Sequence, residues 1–557
     1  MIISKNLISL LTLLTTFSVA IANVLPFSYS YELQLFNRKN LIPNQNYFNL
    51  LGYFSGSTDP TVSEIPIKSQ RFVPNKISRE DRESWIQEQK VVSFRNILNN
   101  IGGAFTNVSS PESNHVALGA VIASPSKVHP DYFYQWTRDA AITMLTISDY
   151  LHDDNFKNMS LINTVESYID NNYHLQRLAN PSGDFDDLSG LGEPKFHVNN
   201  TAFTSHWGRP QNDGPALRVI TTIKYLDLLD KFNGGEVKTH NKIFNTTGDI
   251  YHLIIKPDLK YVAQHWRDTS FDLWEEVNSF HFFTSMVQLR SLYSGAQLAL
   301  KSNDNQFYYY LMENARALND FIVFRSGYKQ PSLDHLVETP SLYSSNHRTG
   351  LDSAIIIASI LTHDFDLDIN HLIPYDINDP LILGTLYALI SDMKYRYAIN
   401  HNLINLNLGV GIGRYPEDIY DGTGFAEGNP WFLCTSYAAE LFYKIIYSLF
   451  NNEQDLKIHP TNFKFYKENI IAFDQESIDR DIVLPFKSSA FNSTISNLLS
   501  YADSFLDVVH SHVSDEGSIS EQFDRYTGYM KGASDLTWSY GSLWNAFRWR
   551  EKVTLLL

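Results

Sequence analysis

The sequence predicts an all-α fold: an (α/α)6 barrel of twelve helices in two concentric rings, with an irregular N-terminal extension. Three observations carry the prediction. Twelve segments between residues 84 and 553 place apolar residues at three- and four-residue spacing among good helix formers. Their character alternates from one to the next, and no fixed sequence period runs through them, which argues for a closed ring rather than a solenoid.

In chain order the segments are 84–100, 137–151, 161–177, 214–232, 249–266, 281–302, 305–323, 352–363, 379–399, 431–450, 494–513 and 537–553. The odd-numbered ones are striped; 84–100 and 379–399 interleave Glu, Gln, Lys, Asp and Arg with apolar positions, as helices with one buried face do. The even-numbered ones open with long uncharged stretches, Ala140 to Ile147, His281 to Leu289, Ser353 to Thr362 and Trp431 to Ala439, as helices buried on most sides do. The fourth shows the local logic. Asp213 sits at a capping position, Pro215 suits the first turn, Val219, Ile223 and Leu226 share one face, and Gly234-Gly235 ends it.

Striped helices outside and buried helices inside make every connection into an inner helix emerge at the same end. Five of those connections, 115–136, 180–213, 267–280, 400–430 and 515–535, are long and rich in Trp, Arg, Asp, Glu, Gly and Pro. They meet around one mouth, where long loops carry function.

Residues 1–22 read as a signal peptide: Lys5, an apolar run from Leu7 to Val19, and the small-x-small pattern Ala20-Ile21-Ala22. Residues 23–79 are polar, Pro-bearing and weakly periodic, an irregular extension. Across all 557 residues, 44 Lys and Arg against 61 Asp and Glu give a net charge of −17, which repels nucleic acid and acidic lipid. Hydrophobic residues at 43% and charged residues at 19% fit a large globular core. No later segment has the uninterrupted apolar run of a membrane helix, since 431–450 carries Glu440 and Lys444. A soluble protein of the secretory route, secreted or vacuolar, is the expectation. The single cysteine, Cys434, lies in an apolar helix and reads as an inert buried thiol. Glycosylation sequons stand at Asn107, Asn158, Asn199, Asn245 and Asn492.

The loop Phe271-Asp272-Leu273-Trp274-Glu275-Glu276 places three carboxylates beside a tryptophan at the mouth. Desolvation and like charge raise the pKa of one of them, as a general acid requires. Glu521, in Glu521-Gln522-Phe523 before the twelfth helix, faces it from the opposite side of a six-membered inner ring. Two carboxylates across a mouth are the equipment of a glycosidase, and a separation wide enough for a water indicates inversion. Trp136-Thr137-Arg138-Asp139, Trp207-Gly208-Arg209-Pro210 and Gly413-Arg414-Tyr415-Pro416-Glu417-Asp418 add groups that hydrogen-bond hydroxyls and rings that cover sugar faces. No His pair has metal-ligand spacing, no Gly-rich loop cradles a phosphate and no G-x-S-x-G elbow is present, so neither metal nor cofactor is expected.

Taken together, YFYQWTRD from Tyr132, WGRPQNDGPALR from Trp207, FDLWEEVN from Phe271, GRYPED from Gly413, GNPWFLCT from Gly428, and Glu521-Gln522-Phe523 with Leu536-Thr537-Trp538-Ser539 closely resemble fungal glucoamylases of glycoside hydrolase family 15, the yeast type above all. The resemblance covers about 84–553. It implies an (α/α)6 barrel over 80–557 that releases β-glucose from the non-reducing ends of starch, glycogen and maltooligosaccharides. It also implies Glu275 as general acid, Glu521 as general base and Asp272 as an assisting aspartate. Arg138 and Asp139 match the clamp on the terminal glucose, with Tyr132, Trp136, Trp207 and Trp538 around it; Glu276 and Arg414 match binders at the cleavage point. A monomer without nucleic-acid or membrane partners is expected. Many filamentous-fungal relatives carry several Cys and a Ser/Thr-rich linker to a starch-binding domain; this sequence has a single Cys, and no starch-binding domain is expected. Alternatives are another (α/α)6 glycosidase, a trehalase or glucodextranase, or an inactive glucan-binding protein. The last would lose one carboxylate, and both are present.

Overall fold

The computed structural model describes residues 79–557, apart from 104–114, 239–242, 366, 404–405 and 407. The signal peptide, nearly all of the 23–79 extension and Asn107 therefore lie outside the described residues. The elements below belong to one compact unit formed by residues 67–343 and 348–557.

Twelve long helices form the barrel: α1 (Arg79–Asn99), α2 (Thr137–Asp153), α3 (Met159–Gln176), α4 (Asp213–Asn233), α5 (247–265), α6 (Phe282–Lys301), α7 (Asn305–Phe324), α8 (Ala354–Thr362), α9 (Pro380–Arg396), α10 (Phe432–Asn451), α11 (Ser489–His510) and α12 (Thr537–Thr554). The even-numbered helices pack each on the next, and α12 returns to α2, closing the inner ring. The odd-numbered helices form the outer ring, α3, α5, α7, α9 and α11 on the inner helix preceding each and α1 on α12. Burial follows the expected division. On α7 a single stripe, Phe307, Leu311, Asn314, Ala315, Leu318 and Ile322, is buried. On α10 nearly every residue is buried, including Glu440 and Lys444.

Three details differ from the sequence reading. Asp213 does not cap α4: it is the first helical residue and its Oδ2 takes Arg138 Nη1 at 3.0 Å instead. The stop is as expected, with Gly234 left-handed at φ 63° and its N–H returning to the Leu229 carbonyl. The helix α5 contains a π turn, Tyr251–Ile255, just before Pro257, which has no N–H to give the preceding turn. The carbonyls of Leu253 and Ile254 accept instead from Arg177 Nη2 and Gln176 Nε2, both at 2.9 Å. Helices α1 and α11 begin five residues earlier than their apolar spacing indicated; Ser488 caps α11 through the Phe491 N–H at 3.1 Å.

Short two-stranded sheets, too brief to show periodicity, sit among the loops: β1 (Tyr134–Trp136) with β2 (Lys195–His197), β3 (Ser270–Phe271) with β4 (Asn278–Ser279), β5 (Leu456–Ile458) with β6 (Ile482–Leu484), and β7 (Ser520–Phe523) with β8 (Met530–Ser534). All are antiparallel.

The six loops entering the inner helices are joined by backbone hydrogen bonds into a closed collar. The first meets the second through the β1/β2 register, Trp136 opposite Lys195. Phe271 N–H then donates to the Pro210 carbonyl at 3.0 Å, Phe282 N–H to Glu338 at 3.0 Å, Ser353 N–H to Arg414 at 2.8 Å, Phe523 N–H to Pro430 at 3.1 Å, and Thr537 N–H to Ala123 at 2.9 Å. Five of these loops carried the functional composition. The sixth, between α7 and α8, completes the ring.

Candidate active site

The hairpin β3/β4 carries the acidic motif at its tip. The Asp272 carboxylate is buried and turned inward onto the loop: Oδ1 accepts the N–H groups of Glu276 and Val277, both at 2.7 Å, and Oδ2 that of Trp274 at 3.1 Å. The Asp272 carbonyl accepts the Glu275 N–H at 2.9 Å. These bonds hold Glu275 at φ 66°, a left-handed conformation that costs a non-glycine residue about 1–2 kcal/mol. Below the hairpin, the buried His281 Nε2 faces the carbonyls of Ser270 at 3.1 Å and Val277 at 2.9 Å and therefore carries the proton, while Nδ1 meets Thr339 Oγ1 at 2.9 Å.

Turned out of the tip, the Glu275 Oε1 accepts Trp136 Nε1 at 2.7 Å and Gln211 Nε2 at 2.8 Å, with Arg138 Nη2 at 3.6 Å. Arg138 is itself fixed by Gln211 Oε1 at 2.8 Å and Asp213 at 3.0 Å, and Asp139 lies 3.6 Å from its Nε. Burial pushes the Asp139 carboxyl up to about 6, helped by the Glu275 and Asp213 charges and opposed by Arg138. The Trp207 ring stands 6.0 Å from Trp136, and its buried Nε1 has no hydrogen-bond partner. Tyr132 lies edge-on to Trp136 at 5.5 Å. One α2 terminus and two loops thus converge on a single carboxylate.

Glu276 points the other way, into a cluster of cations. Its Oε1 accepts Arg414 Nη2 at 2.8 Å, and its Oε2 accepts Arg348 Nη2 at 2.9 Å and the Tyr415 hydroxyl. Arg414 is held bidentately by Asp418 at 2.8 and 2.6 Å, and its guanidinium lies 5.3 Å from the Trp274, Tyr420 and Trp431 ring centroids.

Glu521 stands on β7, with only 1% of its surface exposed. Its Oε2 accepts the Tyr420 hydroxyl at 3.3 Å, and that hydroxyl is 3.1 Å from the hydroxyl of Tyr132. Burial pushes the Glu521 carboxyl up to about 8, against the opposing pull of Arg414 and of the Tyr132 and Tyr420 hydroxyls. Space for Glu521 comes from Gly532 on β8, where a Cβ would lie 2.2 Å from Oε2. From Glu275 a continuous chain of contacts runs through Trp136, Tyr132 and Tyr420 to Glu521.

Of the residues the sequence singled out, Trp136, Arg138, Asp139, Glu275, Tyr132, Trp207 and Glu521 are joined in one network of contacts, and Glu276 and Arg414 pair beside it. Trp538 opens α12 and is buried; its Nε1 donates to Tyr437 at 3.0 Å rather than to another of these residues. Residues outside the expectation also enter. Gln211 bridges Arg138 and Glu275. Arg348, which has no aromatic or acidic neighbour in sequence to mark it, reaches Glu276 from the sixth loop. Lys195 lies under the rings, its Nζ 3.5 Å from the Trp207 centroid and 4.4 Å from that of Trp136, and burial pushes it down to about 8. Cys434 is buried, its Sγ 3.2 Å from Ser353 Oγ, and burial pushes the thiol up. Among the described residues no three His, Cys, Asp or Glu side chains are grouped to hold a metal, and no helix is long and apolar enough to cross a membrane.

Known proteins resemble this chain over most of its length. A family model described as glycosyl hydrolases family 15 matches residues 100–548. A glucoamylase of Saccharomycopsis fibuligera is 43% identical over 494 residues, covering 86% of this chain and 92% of that protein. The intracellular sporulation-specific glucoamylase of Saccharomyces cerevisiae is 40% identical over 483 residues, covering 85% and 84%. The solved structure of a Saccharomycopsis fibuligera glucoamylase superposes with a TM-score of 0.81 at 42% identity, covering 86% of this chain and 98% of that one. A glycoside hydrolase family 15 glucoamylase from Hypocrea jecorina superposes with a TM-score of 0.72 at 33% identity, covering 85% and 73%. The chain belongs to glycosyl hydrolases family 15.

Proposed function

We propose that the protein is a glucoamylase, a glucan 1,4-α-glucosidase that releases β-D-glucose from the non-reducing ends of starch, glycogen and maltooligosaccharides with inversion. The observation that carries the reading is the pair Glu275 and Glu521, not in direct contact and linked through Trp136, Tyr132 and Tyr420 within one collar of loops. An inverting glycosidase needs two carboxyl groups with a sugar ring and a water between them.

Exposure divides their roles. The departing glucan must leave toward solvent, so the acid that protonates its oxygen has to reach the open side; the Glu275 side chain is 18% exposed. The base touches only a water, and Glu521 is enclosed between tyrosines. We assign Glu275 as general acid and Glu521 as general base. Asp272, its oxygens occupied by three backbone N–H groups, is a positioning residue that sets Glu275. Arg138 and Asp139 clamp the hydroxyls of the terminal glucose, Trp136, Trp207, Tyr132 and Trp538 bound it, and Glu276 with Arg414 fixes the sugar at the cleavage point. The catalytic domain spans 80–557, after a signal peptide at 1–22 and an extension at 23–79; the protein follows the secretory route as a monomer.

A second reading exchanges the two roles. It is favoured by the proton that burial keeps on Glu521 and by the donors that surround Glu275. α-Glucosyl fluoride separates the two, because fluoride leaves without acid assistance. With Glu275 as acid, E275Q loses maltose hydrolysis but retains fluoride hydrolysis, and E521Q loses both. The opposite pattern exchanges the roles. Loss of neither activity in either variant overturns the site.

A further inference from the structure

The inner helices run from the collar toward a closed end, and a cavity of about 110 Å³ among them is lined by α2 from Ile142 to His152, α10 from Tyr437 to Tyr447 and the end of α8, together with α4, α6 and α12. That space holds several waters or one small ion. Its walls are charged, and most of the charge is matched. Lys224 binds Asp149 and Asp364 at 2.5 and 2.7 Å; Arg548 binds Asp153 at 2.5 Å, and Lys552 binds Asp153 at 3.1 Å. Three cations therefore meet three carboxylates.

Two further buried cations, Arg290 and Lys444, feel Asp364 and Asp149 only at longer range. Among the described residues neither Arg290 nor Lys444 has a carboxylate within ion-pair distance. Arg290 Nη1 donates to the Leu361 carbonyl at 3.2 Å, while its buried Nε has no partner. Lys444 Nζ donates only to the carbonyls of Ile360 at 3.0 Å and His363 at 3.2 Å. These carbonyls lie at the C-terminus of α8, whose dipole amounts to about half a negative charge; burial pushes Lys444 and Arg290 down from their usual values, with nearby carboxylates opposing. Glu440, one turn before Lys444 on α10, does not close the gap. Its buried Oε2 has no partner, and burial pushes the carboxyl up to about 7 with Asp149 reinforcing and Lys444 and Arg548 opposing, so below that pH it is neutral. Burial likewise pushes the His363 imidazole down, and it pushes Asp227 up to about 6.

We propose that the closed end of the barrel is a binding site for a small oxyanion of the phosphate or sulfate type, held by Arg290 and Lys444. The free Nε edge of a guanidinium suits two oxygens of one oxyanion better than it suits a spherical halide. A protonated Glu440 offers a further donor from Oε2. The cavity reaches along α10 to Tyr437, whose hydroxyl accepts Trp538 Nε1 at 3.0 Å, whereas Arg290 and Lys444 stand beyond it at the C-terminus of α8.

Thermal unfolding of the whole protein at pH 5, in inorganic phosphate against sodium chloride of equal ionic strength, tests it. The wild type gains about 2–3 °C in Tm when phosphate reaches about a hundredfold its dissociation constant. R290M and K444M lose that gain while maltose hydrolysis in phosphate-free buffer is unchanged. No gain in the wild type, or the same gain in both variants, overturns the site. Should the variants fail to fold, wild-type crystals soaked in selenate decide: a selenium anomalous peak between Arg290 and Lys444 supports the site, and an empty cavity overturns it.

Discussion

The Asp272 carboxylate accepts the Glu276 N–H at 2.7 Å, and with it the N–H groups of Trp274 and Val277, so the residue organises the tip that presents Glu275. Replacing it by Ala frees Glu275 from its left-handed conformation and leaves the carboxyl chemistry intact. Misplacement of a reacting group costs rate rather than binding. D272A is expected to lower kcat by about 100-fold on maltotriose with KM little changed and the product anomer unchanged. Steady-state kinetics check this; a raised KM with full kcat places Asp272 in binding instead.

Trp136 donates to Glu275 at 2.7 Å. W136F keeps most of the ring and removes the N–H, and a hydrogen bond to the carboxylate that forms as Glu275 gives up its proton contributes about 1.5–3 kcal/mol. A fall in kcat/KM of about 10- to 100-fold is expected. W136F with wild-type kinetics denies that bond a catalytic role.

Gly532 has φ 72°, and an added Cβ would lie 2.2 Å from Glu521 Oε2. G532A meets both a backbone penalty of about 1–2 kcal/mol and a displaced Glu521. Its kcat is expected to fall by about 10-fold or more, with a Tm lowered by a few degrees. A crystal structure of G532A with Glu521 unmoved and full activity contradicts the assignment of Gly532 as the residue that makes room for the base.

Burial raises the folded pKa of Asp139 to about 6, Asp352 to about 7, Glu440 to about 7 and Glu521 to about 8. A carboxyl with a raised folded pKa stabilises the fold while it is protonated, and that contribution is lost as pH rises from the unfolded value through the folded one. The protein is therefore expected to melt at a higher temperature at pH 5 than at pH 8. In the opposite direction, ion pairs hold Asp153 and Asp364 well below the usual range, so stability also declines in strong acid. A Tm that rises steadily from pH 5 to 8 contradicts this balance.

The barrel was legible because its helices are long and the two rings face different surroundings: the stripe of α7 and the uncharged opening of α10 are written in residue types. The loop carboxylates, Arg138 with Asp139, and the rings of Trp136, Trp207 and Tyr132 were legible as a group because sugar chemistry looks for such residues in characteristic company. Side-chain direction was not. Asp213 reads as a cap, yet its carboxylate serves Arg138 across the collar; Asp272 reads as a third acid, yet it faces its own backbone. Arg348 lies in a loop of ordinary composition and acquires its role only when Glu276 is folded against it. Likewise Arg290 and Lys444, distant in sequence, become a pair of buried cations only through the closing of the inner ring.

The stereochemistry of the first product tests the central claim most directly. Proton NMR during the first minutes of maltotriose hydrolysis is expected to show the anomeric signal of β-glucose appearing ahead of mutarotation, as water delivered by Glu521 opposite the Glu275-protonated bond requires. Initial release of α-glucose would contradict the account of two carboxylates acting from opposite sides.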